Sequence, residues 1–170
     1  NGLMGILGVI IGAFLASGTG LVDYVWNLVI ASAVVISFMA GGNALNDYID
    51  REIDKVGHPE RPLPRGEITP RAALVCGVGG LALACAISVL MGSFVSTAVV
   101  TGAAILMVTY EVYLKKTGYL GNLEIAILTG MLFLYGGAAV NNIEGNLIFA
   151  AMAMLVSVGR EIAKDIEDMG

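Results

Sequence analysis

Directly after an apolar run stands the stretch Asn43-Ala44-Leu45-Asn46-Asp47-Tyr48-Ile49-Asp50-Arg51-Glu52-Ile53-Asp54. On a helix that turns by about 100° per residue, four polar side chains of this stretch fall within about 60° of one another, a set that we call the acidic stripe. Its members are Asn43, Asp47, Asp50 and Asp54. Carboxylates at this spacing repel one another unless a cation neutralises them, and oxygen ligands favour a hard divalent cation. The stripe therefore predicts a Mg²⁺ site for a phosphate-bearing substrate, with a solvated helix end as the alternative.

The composition indicates a membrane protein. Of the 170 residues 57% are hydrophobic and 14% are charged, and the mean hydropathy is +0.84. Six apolar runs predict transmembrane helices at about residues 2–17, 24–45, 72–91, 94–112, 123–140 and 146–162. The predicted fold is an all-α, multi-pass transmembrane bundle. Because the sequence starts inside an apolar run and stops in an acidic cluster, we expect residues 1–170 to be one domain truncated at both ends.

The connections between these runs alternate in charge. The odd connections contain no lysine or arginine, whereas all nine basic residues border the even connections or the end of the sixth run. The positive-inside rule makes that side of the cell membrane cytoplasmic. Twelve of the fourteen acidic residues lie on the same side, although topology alone does not require them there. We therefore predict a functional site at the cytoplasmic surface.

The second connection, residues 55–70, contains all four prolines and the only histidine. Prolines exclude a continued helix, so this segment is expected to form a semi-rigid flap beside the acidic stripe. Thr69 and Pro70 can start the third helix. His58 is interpreted as a surface residue, since no second histidine completes a metal site.

The fourth connection, residues 110–122, combines aromatic side chains with two lysines. A membrane-interface belt explains this mixture without a specific function. The functional alternative is a phosphate clamp that includes Tyr110, Lys115 and Lys116. Asn122 and Glu124 are weaker candidates, because an ionisable group inside an apolar run is costly unless it faces a partner or a polar cavity.

The end of the sixth run repeats the acidic pattern. Asp165 and Asp168 have the spacing of Asp47 and Asp50, again at the cytoplasmic end of an even-numbered run. Two such helix ends could face each other across a cavity and hold cations, while arginine and lysine bind the same phosphates. A diphosphate on Mg²⁺ is a good leaving group, particularly from an allylic carbon, so the pattern predicts intramembrane transfer of a prenyl group.

Two longer motifs resemble the signatures of the UbiA-type intramembrane prenyltransferases. The first is Asn46-Asp47-x-x-Asp50-x-x-x-Asp54 with Pro59-Glu60-Arg61-Pro62-Leu63-Pro64-Arg65-Gly66, and the second is Arg160-Glu161-x-x-Lys164-Asp165-x-Glu167-Asp168. Within this family, the amino-acid sequence most resembles that of the archaeal members that make ether lipids. A further aspartate of the second signature, four residues past Asp168, would lie beyond the end of this sequence.

The resemblance implies nine helices around a central cavity, and a reaction. Geranylgeranyl diphosphate would donate its prenyl chain to geranylgeranylglyceryl phosphate, with Mg²⁺ as cofactor. The implied partners are an isoprenyl diphosphate, a lipid-like acceptor and membrane lipids, with no nucleic acid and no obligate protein partner. The implied catalytic carboxylates are Asp47, Asp50, Asp54, Asp165 and Asp168, which with Asn43 would also hold the metal. The implied residues for substrate phosphates are Asn43, Asn46, Arg61, Arg65, Tyr110, Lys115, Lys116, Asn122, Arg160 and Lys164.

Three other functions remain alternatives. A UbiA-type enzyme could instead prenylate an aromatic quinone precursor, since the acidic motifs indicate how the donor diphosphate is bound and do not identify the acceptor. A CDP-alcohol phosphotransferase would need glycine directly after the first aspartate, where Tyr48 stands. A cation transporter would place its acids near the middle of the membrane, whereas these lie at helix ends beside basic residues.

Overall fold

The computed structural model describes the backbone of residues 2–168 and their side chains except those of Asp165 and Asp168. These residues form six α-helices: α1 Gly2–Ser17, α2 Val25–Gly57, α3 Pro70–Ser88, α4 Phe94–Thr109, α5 Tyr119–Ala139 and α6 Leu147–Asp168. The described part of the chain contains no strand, which confirms the all-α prediction. A 3-10 segment at Gly18–Tyr24 joins α1 to α2 without a break, so five helical segments are long and apolar enough to cross a membrane.

The helix ends differ from the apolar runs for identifiable reasons. The second run was predicted to end at Leu45, but α2 continues to Gly57 because the acidic stripe is itself helical. The fifth helix begins at Tyr119, four residues before its apolar run. Thr69 caps α3 by accepting a hydrogen bond from Ala72 N at 3.2 Å, and Pro70 occupies the first turn, as the sequence predicted.

The first five helices close into a ring. Each helix from α1 to α5 packs against the next, α5 returns to α1, and α6 packs on the outside of the ring along α5. The core holds small and β-branched side chains, among them Val9, Ala31, Val34 and Ala139. The C-terminal ends of α2 and α4 and the N-terminal end of α5 lie close together at one end of the ring.

The backbones of α2 and α3 touch through glycines. A Cβ atom on Gly41 would lie 2.6 Å from Leu81 N, and one on Gly80 would lie 2.7 Å from Gly41 Cα. Small residues permit this close approach of helices in a membrane. Gly41 lies two residues before Asn43, the first residue of the acidic stripe, so the contact fixes the part of α2 that carries the site.

Candidate active site

The acidic stripe lies on the last four turns of α2. Asp54 is buried, Asp47 and Asp50 are half-buried, and Asn43 at the start of the stripe is exposed. The repulsion among the carboxylates of the stripe is offset, because each carboxylate contacts a cationic side chain from another segment.

The proline-rich connection supplies the first cation. Arg61 Nη1 donates to Asp54 Oδ2 at 2.7 Å and lies 3.5 Å from Asp47 Oδ1. Arg61 therefore fastens the segment to α2 beside the stripe. Arg65, in the same connection, instead forms an exposed pair with Glu67 at 2.9 Å. His58 is exposed and lies 3.4 Å from Glu60, consistent with a surface residue.

The end of α4 supplies the second cation through a π-helical turn at Tyr110–Leu114. Lys115 N donates to Tyr110 O at 2.8 Å, a hydrogen bond across five residues instead of four. The ammonium of Lys115 pairs with the carboxylate of Asp50 and lies 3.3 Å from Glu111 Oε2. Its neighbour Lys116 is exposed. Such π turns are frequent at functional sites, because the extra residue redirects the side chains that follow.

The environment keeps Lys115 charged. Burial lowers the pKa of Lys115, but the hydrogen bond to Asp50 and the negative charge of Glu111 outweigh it and raise the pKa above its usual value. Lys115 is therefore a fixed positive charge at the acidic stripe.

Glu111 is a residue of this cluster that the sequence analysis did not single out. Its side chain is 3% exposed, and both of its oxygens accept hydrogen bonds from Asn46 Nδ2 at 3.1 Å. The signal that could have found it is the one that drew attention to Glu124, namely an ionisable residue at the edge of an apolar run.

The C-terminal end of α6 approaches the same cluster through Glu161. Glu161, Asp50, Glu111 and Lys115 all lie within electrostatic range of Tyr110. Arg160 Nη2 donates to Glu161 Oε1 at 2.5 Å. A cavity of about 500 Å³ at this end is lined by Arg160, Glu161, Ala163, Lys164 and Glu167. The side chains of Asp165 and Asp168 lie outside the described residues.

The first turns of α5 also lie beside this cluster of charged side chains. Asn122 is half-buried there. Glu124 is 3% exposed, and neither of its carboxylate oxygens has a hydrogen-bond partner among the described residues. Gly121, one turn earlier, packs its backbone against the π turn, since a Cβ atom there would lie 2.7 Å from Leu114 O.

The donor set fits a hard divalent cation in its chemistry, because it offers carboxylate and amide oxygens only. Among the side chains that the structure describes, no group of three carboxylates, histidines or cysteines is close enough to hold an ion. The carboxylates are divided instead between Arg61 and Lys115. A bound Mg²⁺ would thus have to exchange with these cations.

Comparison with known proteins identifies the family. The model of the UbiA prenyltransferase family matches residues 6–170. Relatives named digeranylgeranylglyceryl phosphate synthase occur in Natronomonas pharaonis, with 39% identity over 94% of this chain and 56% of that protein. The same name is given to a protein of Thermococcus gammatolerans, with 41% identity over 99% of this chain and 58% of that protein. The chain thus spans less than two thirds of the length of these relatives.

Solved structures agree with this result. A structure described as that of a digeranylgeranylglyceryl phosphate synthase in membranes superposes with a TM-score of 0.89 and 33% identity, over 98% of this chain and 58% of that one. A UbiA homologue from Aeropyrum pernix K1 superposes with a TM-score of 0.80 over 98% of this chain and 63% of that one, and at 20% identity it supports the fold alone. The resemblance read from the two acidic motifs is confirmed, and the chain belongs to the UbiA prenyltransferase family.

Proposed function

We propose that the full-length protein transfers a geranylgeranyl group from geranylgeranyl diphosphate to geranylgeranylglyceryl phosphate. The product would be digeranylgeranylglyceryl phosphate, an intermediate of archaeal ether lipids. The observation that carries this proposal is the similarity, along nearly the whole chain, to relatives that bear the name of this synthase. The geometry of the acidic stripe supports the donor half of the reaction.

The stripe would hold Mg²⁺ through Asp47, Asp50 and Asp54, joined by Asn43 and, from α6, by Asp165 and Asp168. When bound, the metal neutralises the negative charge that develops on the diphosphate as the carbon–oxygen bond breaks. The carbon fragment leaves as a delocalised allylic cation, and the acceptor hydroxyl oxygen bonds to it and loses a proton. Diphosphate and that proton are the other products.

Arg61 and Lys115 would bind the leaving diphosphate. Both lie against carboxylates of the stripe, at Asp54 and Asp50. If these carboxylates held a metal, the guanidinium of Arg61 and the ammonium of Lys115 would be free to donate to phosphate oxygens, which are strong acceptors of charge-assisted hydrogen bonds. Arg61 and Lys115 would therefore neutralise the carboxylates of the stripe before the substrate binds, and would bind its phosphates afterwards.

The acceptor phosphate would be bound near the end of α6. Arg160 and Lys164 line the cavity of about 500 Å³ there, and Arg160 also lines an apolar groove of about 440 Å³ between α5 and α6. By the positive-inside rule this surface would be cytoplasmic. The exposed positions of Arg65 and Lys116 make them weaker candidates than Arg61 and Lys115 for contact with substrate.

The test is an assay of the full-length protein with radiolabelled geranylgeranyl diphosphate, geranylgeranylglyceryl phosphate and Mg²⁺. We expect a labelled diether phosphate that disappears when EDTA removes the metal. Product only with a phenolic acceptor would assign the protein to the aromatic branch of the family. Metal-independent product would contradict the role of the stripe.

A further inference from the structure

Glu111 connects two of the segments that build the site. Its carboxylate accepts from Asn46 of α2 at 3.1 Å through both oxygens and lies 3.3 Å from the ammonium of Lys115 on its own segment. A buried carboxylate is costly unless it is paired and hydrogen-bonded, and Glu111 is both. Its place is thus specified by its partners.

The π turn creates this arrangement. The hydrogen bond from Lys115 N to Tyr110 O spans five residues, so the turn contains one residue more than a regular α-helical turn. The turn packs against both α2 and α5. As a result Glu111 faces the side of α2 that carries Asn46, and Lys115 reaches both Glu111 and Asp50.

Lys115 is shared between two carboxylates of different kinds. Asp50 belongs to the acidic stripe, so a metal ion there would compete with the ammonium for the same oxygens. Glu111 is not available in this way, because its oxygens already face the amide of Asn46 and the ammonium of Lys115. A lysine ammonium has three N–H donors. One can stay on Glu111 while the others turn to a phosphate.

We infer that Glu111 is a positioning residue that keeps Lys115 and Asn46 at the site when Asp50 exchanges the ammonium for a metal ion. The inference rests on the proposed function, since it assumes a diphosphate substrate. Without Glu111, Lys115 would lose both of its carboxylate partners, because Asp50 would be bound to the metal ion. Its ammonium would then turn away from the diphosphate.

The test measures Mg²⁺-dependent binding of pyrophosphate to the full-length protein in detergent by calorimetry, so that no turnover is needed. The variants are Glu111→Gln, Lys115→Met and the double variant, with Glu52→Gln as a control that removes the same charge at an exposed position. We expect Glu111→Gln to weaken pyrophosphate binding about tenfold, the value of one charge-assisted hydrogen bond. The double variant should bind as Lys115→Met does, because Glu111 acts through Lys115.

The sign of the effect separates positioning from simple electrostatics. Removing a negative charge near an anion should by itself tighten binding, so unchanged or tighter binding in Glu111→Gln would overturn the inference. Equal weakening by Glu111→Gln in the presence and absence of Lys115 would also overturn it, since the effect would not pass through Lys115. Melting temperatures show whether each variant is folded. Failure of the wild-type protein to bind pyrophosphate with Mg²⁺ would instead refute the proposed function, and the inference with it.

Discussion

Replacement of Arg61 by methionine tests how the proline-rich connection is held to α2. The guanidinium lies 2.7 Å from Asp54 Oδ2, and the carboxylate of Asp54 is only 6% exposed. Methionine keeps much of the apolar stem and removes the charge. The buried carboxylate would then lose its nearest cation.

The size of the expected loss in free energy follows from the exposure of Arg61 and Asp54. Opposite charges about 4 Å apart attract by roughly 4 kcal/mol at an effective dielectric constant of about 20. Arg61 is 38% exposed, so solvent screening and side-chain entropy reduce this value considerably. We expect the free energy of opening the connection to fall by about 1.5 kcal/mol, between the values of exposed and buried ion pairs.

The assay is limited proteolysis by a glutamate-specific protease, which cleaves the connection after Glu60 and Glu67. When opening is fast compared with cleavage, the cleavage rate follows the open population, so Arg61→Met should be cleaved about tenfold faster. Arg65→Met is the matched control, since Arg65 is 59% exposed and pairs with Glu67 of the same connection. We expect it to change the rate by less than about twofold. Equal rates for the two variants would refute the assignment of Arg61 as the fastening residue.

Three further predictions concern the stripe, the helix packing and a buried acid. Asp50→Asn should lower turnover by at least about 100-fold, as expected when a group that stabilises charge is lost. Glu52→Gln, at an exposed site, should leave turnover unchanged. Equal activity of the two variants would contradict the assignment of Asp50 as a metal ligand. Gly80→Ala should destabilise the protein by about 1–3 kcal/mol, because its Cβ would meet the α2 backbone, whereas Gly79→Ala, which meets open space, should not destabilise it. Thermal melting of these two neighbours checks this, and similar losses would refute the close helix contact. Glu124→Gln should raise the melting temperature, because it removes a buried carboxylate without a partner among the described residues, and a lower melting temperature would show that the charge is paired in the full-length protein.

The fold could largely be predicted from the sequence because apolar runs near 20 residues have few other solutions in a membrane. The acidic stripe was equally readable, since its spacing depends only on helical periodicity. The runs did not reveal that α2 continues to Gly57, because hydropathy reports the membrane and not the end of a helix.

Tertiary partners were harder to predict. Arg61 and Arg65 are four residues apart and looked equivalent in sequence, yet Arg61 contacts the stripe whereas Arg65 pairs with Glu67. Lys115 and Lys116 are adjacent, and the π turn selects the first of them. Glu111 was missed because its role depends on Asn46, which is 65 positions away. The positions of the Asp165 and Asp168 side chains stay a prediction.

We propose that the acidic stripe holds the metal of a diphosphate substrate. The most direct measurement is the anomalous scattering of Mn²⁺ in crystals of the full-length protein grown with pyrophosphate. We expect a peak within about 2.5 Å of carboxylate oxygens of the stripe, with Lys115 turned from Asp50 towards the pyrophosphate. A peak elsewhere, with Asp50 and Asp54 still paired to Lys115 and Arg61, would contradict it.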